Sequence, residues 1–204
     1  QSIAFGGINQ NLMNVFDIGL WNHSGTNTVT YFNYTSQEYK YADVFIGTSK
    51  VHGFYAATKA QRASDIYATN ESRRMVNLGA QSCALQHFVL LNNLIQLLKP
   101  RRLIFLDPFR NNIVAGTFDA TAKANFESMV SVGNSLKSEI WYHYAIPETV
   151  LNQSAGDTYL NTVAPTARIV PVPTGWVAVT HTSDGVHPNV AGNLLLGNNL
   201  SVYI

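Results

Sequence analysis

Short apolar runs that stop at glycine or a polar turn alternate, along most of this chain, with longer stretches of helical spacing. Asp43 to Ile46 is such a run and stops at Gly47. Its brevity and near-continuous apolarity predict a buried strand. Met75-Val76-Asn77-Leu78, stopping at Gly79, predicts a second. Leu103-Ile104-Phe105-Leu106 predicts a third, apolar on both faces and therefore central and parallel. Ile140 to Ile146 predicts a fourth strand and Arg168 to Val172 a fifth. Between them, residues 83–98 carry Ala84, Leu85, Phe88, Val89, Leu91, Leu94, Ile95, Leu97 and Leu98 at helical spacing with one apolar face, and Pro100 ends the run. Residues 56–70, 119–137 and 189–200 predict further helices; in the second of these Phe126, Met129, Val130 and Leu136 face inward.

Strand, helix, strand, helix implies an α/β domain with a parallel sheet of about five strands and helices on both faces, a three-layer α/β/α sandwich. Residues 1–40 read differently. They are poor in charge and rich in Asn, Thr, Tyr and Phe, and Thr28 to Phe32 has β propensity. The expected organisation is a short β-rich N-terminal segment over 1–40, packed on a main domain over 41–204.

Composition narrows the functions. The 204 residues suit one domain. Hydrophobic residues make up 46%, enough for a sizeable core, while charged residues make up only 12%, about half the usual share. The surface is therefore neutral and polar, of a kind common on secreted and viral proteins and on proteins that handle sugars. A soluble extracellular or virion-associated location is the expectation. A net charge of +1 with no basic block excludes a phosphate-binding surface, so no nucleic-acid partner is expected. No apolar run reaches the ~18 residues of a membrane span. The single cysteine, Cys83, permits no internal disulfide and no zinc site built from cysteine pairs. The chain opens on Gln1 rather than Met. The expectation is a mature or excised piece of a longer chain, or one subunit of a homo-oligomer.

In a parallel α/β sheet the ligand site lies at the carboxyl ends of the strands. Ser49 follows the first predicted strand, Gly79 the second and Asn111 the third, and Asp184 and His187 precede the last helix. These are the parts for acyl transfer. A serine hydroxyl becomes a useful nucleophile when a base takes its proton, and His187 is the candidate base. Asp184 lies three residues earlier, so one turn brings its carboxylate to the other imidazole nitrogen. The backbone N–H groups of Ser49 and Gly79 and the side-chain amide of Asn111 are candidate donors to an oxyanion. Asn112 is the alternative to Asn111.

Gly47-Thr48-Ser49, Asn77-Leu78-Gly79, Leu106-Asp107 through Asn111, and Asp184-Gly185-Val186-His187-Pro188 resemble, in order, four sequence blocks of the SGNH (GDSL-type) hydrolases. The resemblance covers residues 41 to about 200. It implies a flavodoxin-like sheet, a triad of Ser49, Asp184 and His187, and an oxyanion hole of Ser49, Gly79 and Asn111. It also implies ester hydrolysis through an acyl-enzyme with neither cofactor nor metal. Two positions depart from the usual pattern. Thr48 stands where most members carry Asp, as in the Gly-Thr-Ser carbohydrate esterases, and the third block lacks Gly-x-Asn-Asp. The substrate implied is a small acyl ester, acetyl above all, of a carbohydrate. The competing functions are a non-catalytic glycan-binding (adhesin) domain and a lipase or thioesterase.

Each residue also has a plainer role open to it. Ser49 and Asp184 are good helix caps. His52 and His181 suit the rim of a site, and His23, His87 and His143 suit structural positions. Cys83 reads as a small buried residue, and Asp107 as a turn or loop-orienting group.

Overall fold

The computed structural model describes residues 41–204 together with the strand Val15–Asp17. Its six strands are β1 (Val15–Asp17), β2 (Asp43–Gly47), β3 (Met75–Asn77), β4 (Arg102–Leu106), β5 (Glu139–His143) and β6 (Ile169–Val170). All pair in parallel, in the order β1-β3-β2-β4-β5-β6. The five strands expected from the apolar runs are all present. β1 adds an outer strand, Val15 facing Met75 and Asp17 facing Asn77. The expected strand over Thr28 to Phe32 lies outside the described residues, as does His23.

The helices are α1 (Ser49–His52), α2 (Ala63–Asn70), α3 (Leu85–Phe88), α4 (Asn92–Leu98), α5 (Arg110–Val114), α6 (Ala120–Ser135), α7 (Ser154–Val163), α8 (Ala178–His181) and α9 (Val190–Tyr203). Alternate strand residues feed two cores, as a pleat buried on both faces requires. Val44, Ile46, Val76, Leu103, Phe105 and Tyr142 pack with Leu85, Phe88, Ile95, Leu98, Phe126 and Met129 on one side. Phe45, Met75, Ile104 and Leu106 pack with Ala63, Tyr67, Leu196 and Leu200 on the other. The result is the three-layer α/β/α sandwich.

Two expected helices are interrupted. Residues 56–70 form a short 3-10 turn over Lys59–Gln61 and then α2, because Arg62 between them is extended (φ −79°, ψ 147°). Residues 83–98 are divided into α3, a 3-10 turn over Val89–Leu91, and α4. The helices expected at 119–137 and 189–200 are α6 and α9. Each starts at a side-chain cap: Asp119 accepts from the Ala122 N–H and Asn189 from the Gly192 N–H. Among the described residues no helix is long and apolar enough to cross a membrane.

The strand order places the site. The chain runs from β2 to β3 on one side and then returns to lay β4 on the other side of β2. The carboxyl end of β2 is thus the switch point, where connections leave in opposite directions and open a crevice. Ser49 is two residues beyond that end.

Candidate active site

Ser49 is the first residue of α1, and its Oγ lies 2.8 Å from His187 Nε2. His187 Nδ1 lies 2.7 Å from Asp184 Oδ2. An ionised carboxylate only accepts, so Nδ1 carries the proton and Nε2 turns its lone pair to the serine hydroxyl. Ser49 and His187, 138 positions apart, meet because the loop ahead of α9 folds over the end of β2. That loop is closed by an antiparallel bridge from Thr182 to Pro188, by Ser183 N–H on His187 O (2.9 Å) and by Asn189 N–H on His181 O (3.0 Å). Asp184 Oδ1 meanwhile accepts from the backbone N–H groups of Val186 (3.0 Å) and His187 (2.8 Å). Partial burial pushes the Asp184 carboxyl up. The hydrogen bonds from His187 and Val186 more than offset this and hold it below the usual carboxylate range. Asp184 therefore stays ionised beside the imidazole at neutral pH.

The candidate oxyanion donors are placed unevenly. The Ser49 N–H stands in the first turn of α1, where no intrahelical acceptor exists for it. Asn111, in α5, gives one amide hydrogen to Cys83 O (2.6 Å) and takes one from Arg110 Nη1 on its Oδ1 (3.2 Å). Among the described residues its second amide hydrogen has no acceptor. Asn112 is buried and committed elsewhere: Oδ1 accepts from Leu85 N–H (2.9 Å), and Nδ2 faces Gln86 Oε1 (3.2 Å) and Thr117 Oγ1 (3.3 Å). Of the two candidate amides, Asn111 has the fewer partners among the described residues. Gly79 also has a structural partner. Its N–H is given to Asn77 Oδ1 (2.8 Å), and a Cβ there would stand 2.3 Å from His52 N. The glycine lets β3 and α1 touch, and its N–H is occupied in this state.

A charge network missed in the sequence lies directly beneath. Lys50, next to Ser49, is fully buried, and its Nζ meets Asp107 Oδ2 (2.5 Å), Glu148 Oε1 (2.7 Å) and Ile146 O (3.1 Å). Arg110 grips the same Glu148 through Nε (2.5 Å) and Nη2 (3.2 Å), and its Nη1 holds Asn111. One buried carboxylate thus ties the residue after Ser49 to the residue before the candidate amide donor. Asp107, just past β4, has a left-handed backbone (φ 49°). Burial raises its carboxyl above the usual range, against the lowering pull of Lys50.

The remaining candidates are peripheral. His143 is buried at the end of β5, Nδ1 2.6 Å from Tyr144 O, with Nε2 unpartnered among the described residues. His181 stacks on Trp176 (5.3 Å between centroids) and His87 accepts the Ala84 N–H on Nδ1. His52 is half-buried at the end of α1. Cys83 is half-buried, and its thiol is pushed up by that burial, away from the thiolate. No group of acidic, His and Cys side chains with the spacing of a metal site occurs among the described residues.

A parallel α/β sandwich with a Ser-His-Asp relay at its switch point is the architecture of a class of serine hydrolases. No family model and no curated relative matches the sequence. Solved structures do match. One, from Desulfitobacterium hafniense, is described as a candidate lipolytic protein of the G-D-S-L family. It superposes with a TM-score of 0.67 at 14% identity over 80% of this chain and 99% of its own. The esterase EstA of a Pseudoalteromonas species gives 0.62 at 11% identity, covering 79% and 96%. A family 3 carbohydrate esterase of Clostridium thermocellum gives 0.60 at 13%, covering 79% and 94%. The chain has the fold of the SGNH, or GDSL-type, hydrolases.

Proposed function

We propose that this chain is a serine esterase of the SGNH type that removes a small acyl group, acetyl above all, from a carbohydrate. The observation that carries the esterase reading is the continuous relay Ser49 Oγ to His187 Nε2 and His187 Nδ1 to Asp184. Ser49 attacks the ester carbonyl as His187 takes its proton, and Asp184 stabilises the imidazolium. The oxyanion that forms is met by the Ser49 N–H and the free amide hydrogen of Asn111. Gly79 shapes the loop from behind, and its N–H joins only where Asn77 releases it. Collapse expels the alcohol and leaves the acyl group on Ser49; water activated by His187 then releases the acid.

The carbohydrate acetate rests on the Gly-Thr-Ser form of the first block, on the neutral polar composition and on the likeness of fold to a carbohydrate esterase. Hydrolysis of p-nitrophenyl acetate by the chain and by Ser49→Ala tests the esterase reading. The variant should lose at least about a thousandfold in kcat/KM at unchanged circular dichroism. Equal rates in the two proteins overturn it, and glycan binding without turnover then becomes the reading to pursue.

A further inference from the structure

The relay also fixes where the alcohol half of an ester must go. When the tetrahedral intermediate collapses, its C–O bond to the alcohol breaks and the electron pair stays with the alcohol oxygen. The proton that His187 took from Ser49 passes to that oxygen. The alcohol oxygen must therefore come within about 3 Å of His187 Nε2, and the groups around the imidazole border whatever the oxygen is attached to.

Two of those groups are exposed aromatic rings. Phe54 lies 4.8 Å from the His187 ring, tilted by 43°, and Tyr55 lies 5.7 Å from it at 58°. They meet each other edge to face, 4.9 Å apart at 84°. Both keep much of their surface open, 45% for Phe54 and 44% for Tyr55. Core packing alone does not account for two apolar rings held in solvent beside a reactive imidazole.

Their position is built in. Gly53 ends α1 in the left-handed conformation (φ 79°) and turns the chain back. The N–H groups of Gly53 and Phe54 then both bond Ser49 O, at 3.0 and 3.2 Å. The rings are thus anchored to the nucleophile's own carbonyl and move with it.

We propose that Phe54 and Tyr55 form the subsite for the leaving alcohol, and that its occupant is an uncharged pyranose lying with its C–H face on these rings. The inference rests on the esterase reading and adds to it the side on which the sugar binds. Two perpendicular rings offer a corner about one ring wide, and neither brings a charge. A long-chain alcohol would leave its tail in water beyond half-open rings, whereas a pyranose covers the corner and keeps its hydroxyls solvated.

The test compares three acetates that form the same acetyl-enzyme and differ only in the alcohol: ethyl acetate, octyl acetate and an O-acetylated methyl xylopyranoside. Their kcat/KM ratios report the alcohol side alone, since deacylation is shared. The chain should favour the acetylated pyranoside over ethyl acetate, and Phe54→Ala with Tyr55→Ala should lower that ratio about tenfold. Phe54→Tyr with Tyr55→Phe, which keeps both rings, should leave it nearly unchanged. A ratio unmoved by the alanines means that the rings only pack against His187, and overturns the subsite. A ratio that falls for octyl acetate instead reassigns the corner to an apolar alcohol and overturns the pyranose. Hydrolysis of none of the three esters defeats the esterase reading itself.

Discussion

Strand β2 begins in one charge cluster and ends in another, and the two are built differently. At its start Asp43 meets Arg101 Nε (3.3 Å), Arg102 Nη1 (3.5 Å) and the Tyr67 hydroxyl (2.8 Å). Arg101 leaves 34% of its side chain in water, and Arg102 passes on to Glu139 and so toward the surface. At its end Lys50 and Glu148 expose none of their side chains. The lower cluster can relax into solvent when one member is lost, and the upper one cannot. Burying charge completely is costly unless every partner stays in place. The end that carries the candidate active site accepts that cost, and there the ion pairs join α1, α5 and the loop after β5 at fixed separations.

The sharpest break is Glu148→Gln. It leaves Lys50 and Arg110 facing Asp107 alone, with one uncompensated positive charge indoors. Removing one member of a buried pair costs about 3–5 kcal/mol, and urea unfolding should show a loss in that range. The remaining folded protein should also lose kcat more than it gains KM, because the carboxylate holds both Lys50 beside Ser49 and Arg110 beside Asn111. A loss under 1 kcal/mol would mean that the upper cluster relaxes as readily as the lower.

A second difference is pH dependence. His143 closes β5 in the upper half, and burial pulls its pKa down to about 4 from 6.5, with the Lys50 charge adding to the fall. A folded-state pKa below the unfolded one means that the unfolded chain binds the extra proton. Stability therefore rises with pH between about 4 and 6.5 and is lost as pH falls through that window. The 2.5-unit gap sets an upper bound of about 3 kcal/mol. His143→Gln should flatten the urea midpoint over this range; an undiminished slope would place the titration elsewhere.

The sequence disclosed the strands because each short apolar run ends at a glycine or turn, and it disclosed α6 through the spacing of Phe126, Met129 and Val130, which do pack into the core. Residues 85, 88 and 91 are buried at three-residue steps. That step fits a helical face and equally the 3-10 turn that interrupts it, so periodicity could not show the break. The helix over Ser154–Val163 escaped notice because only Gly156 and Leu160 of it are buried. Asp184 and His187 were legible because their pairing is local, and Ser49 because it follows a strand. At Gly79 a further signal was present: an Asn two residues ahead commonly bonds the backbone N–H that follows, as Asn77 does. The Lys50, Asp107, Arg110 and Glu148 network stayed hidden, since a lysine after a serine reads as surface until the fold brings Glu148 over it. The hint was a charged residue at the ends of two apolar strands in a chain so poor in charge.

Tyr67→Phe probes the lower cluster by removing one hydroxyl and no charge. That hydroxyl gives its proton to Asp43 Oδ2 (2.8 Å) and accepts from Arg102 Nη1 (2.9 Å). Burial, with Asp43 adjacent, raises its pKa and keeps it a neutral donor. The ring still fills its place against Phe45, 5.4 Å away edge to face. Asp43 keeps both arginines, and Arg101 supplies a path to water, so the expected cost is about 1–2 kcal/mol with kcat and KM unchanged. The same size of loss accompanied by a fall in kcat would mean that the two ends of β2 are mechanically coupled. The strand would then carry strain from one cluster to the other, and the separation of a tolerant lower end from a rigid end at the candidate site would fail at the element that joins them.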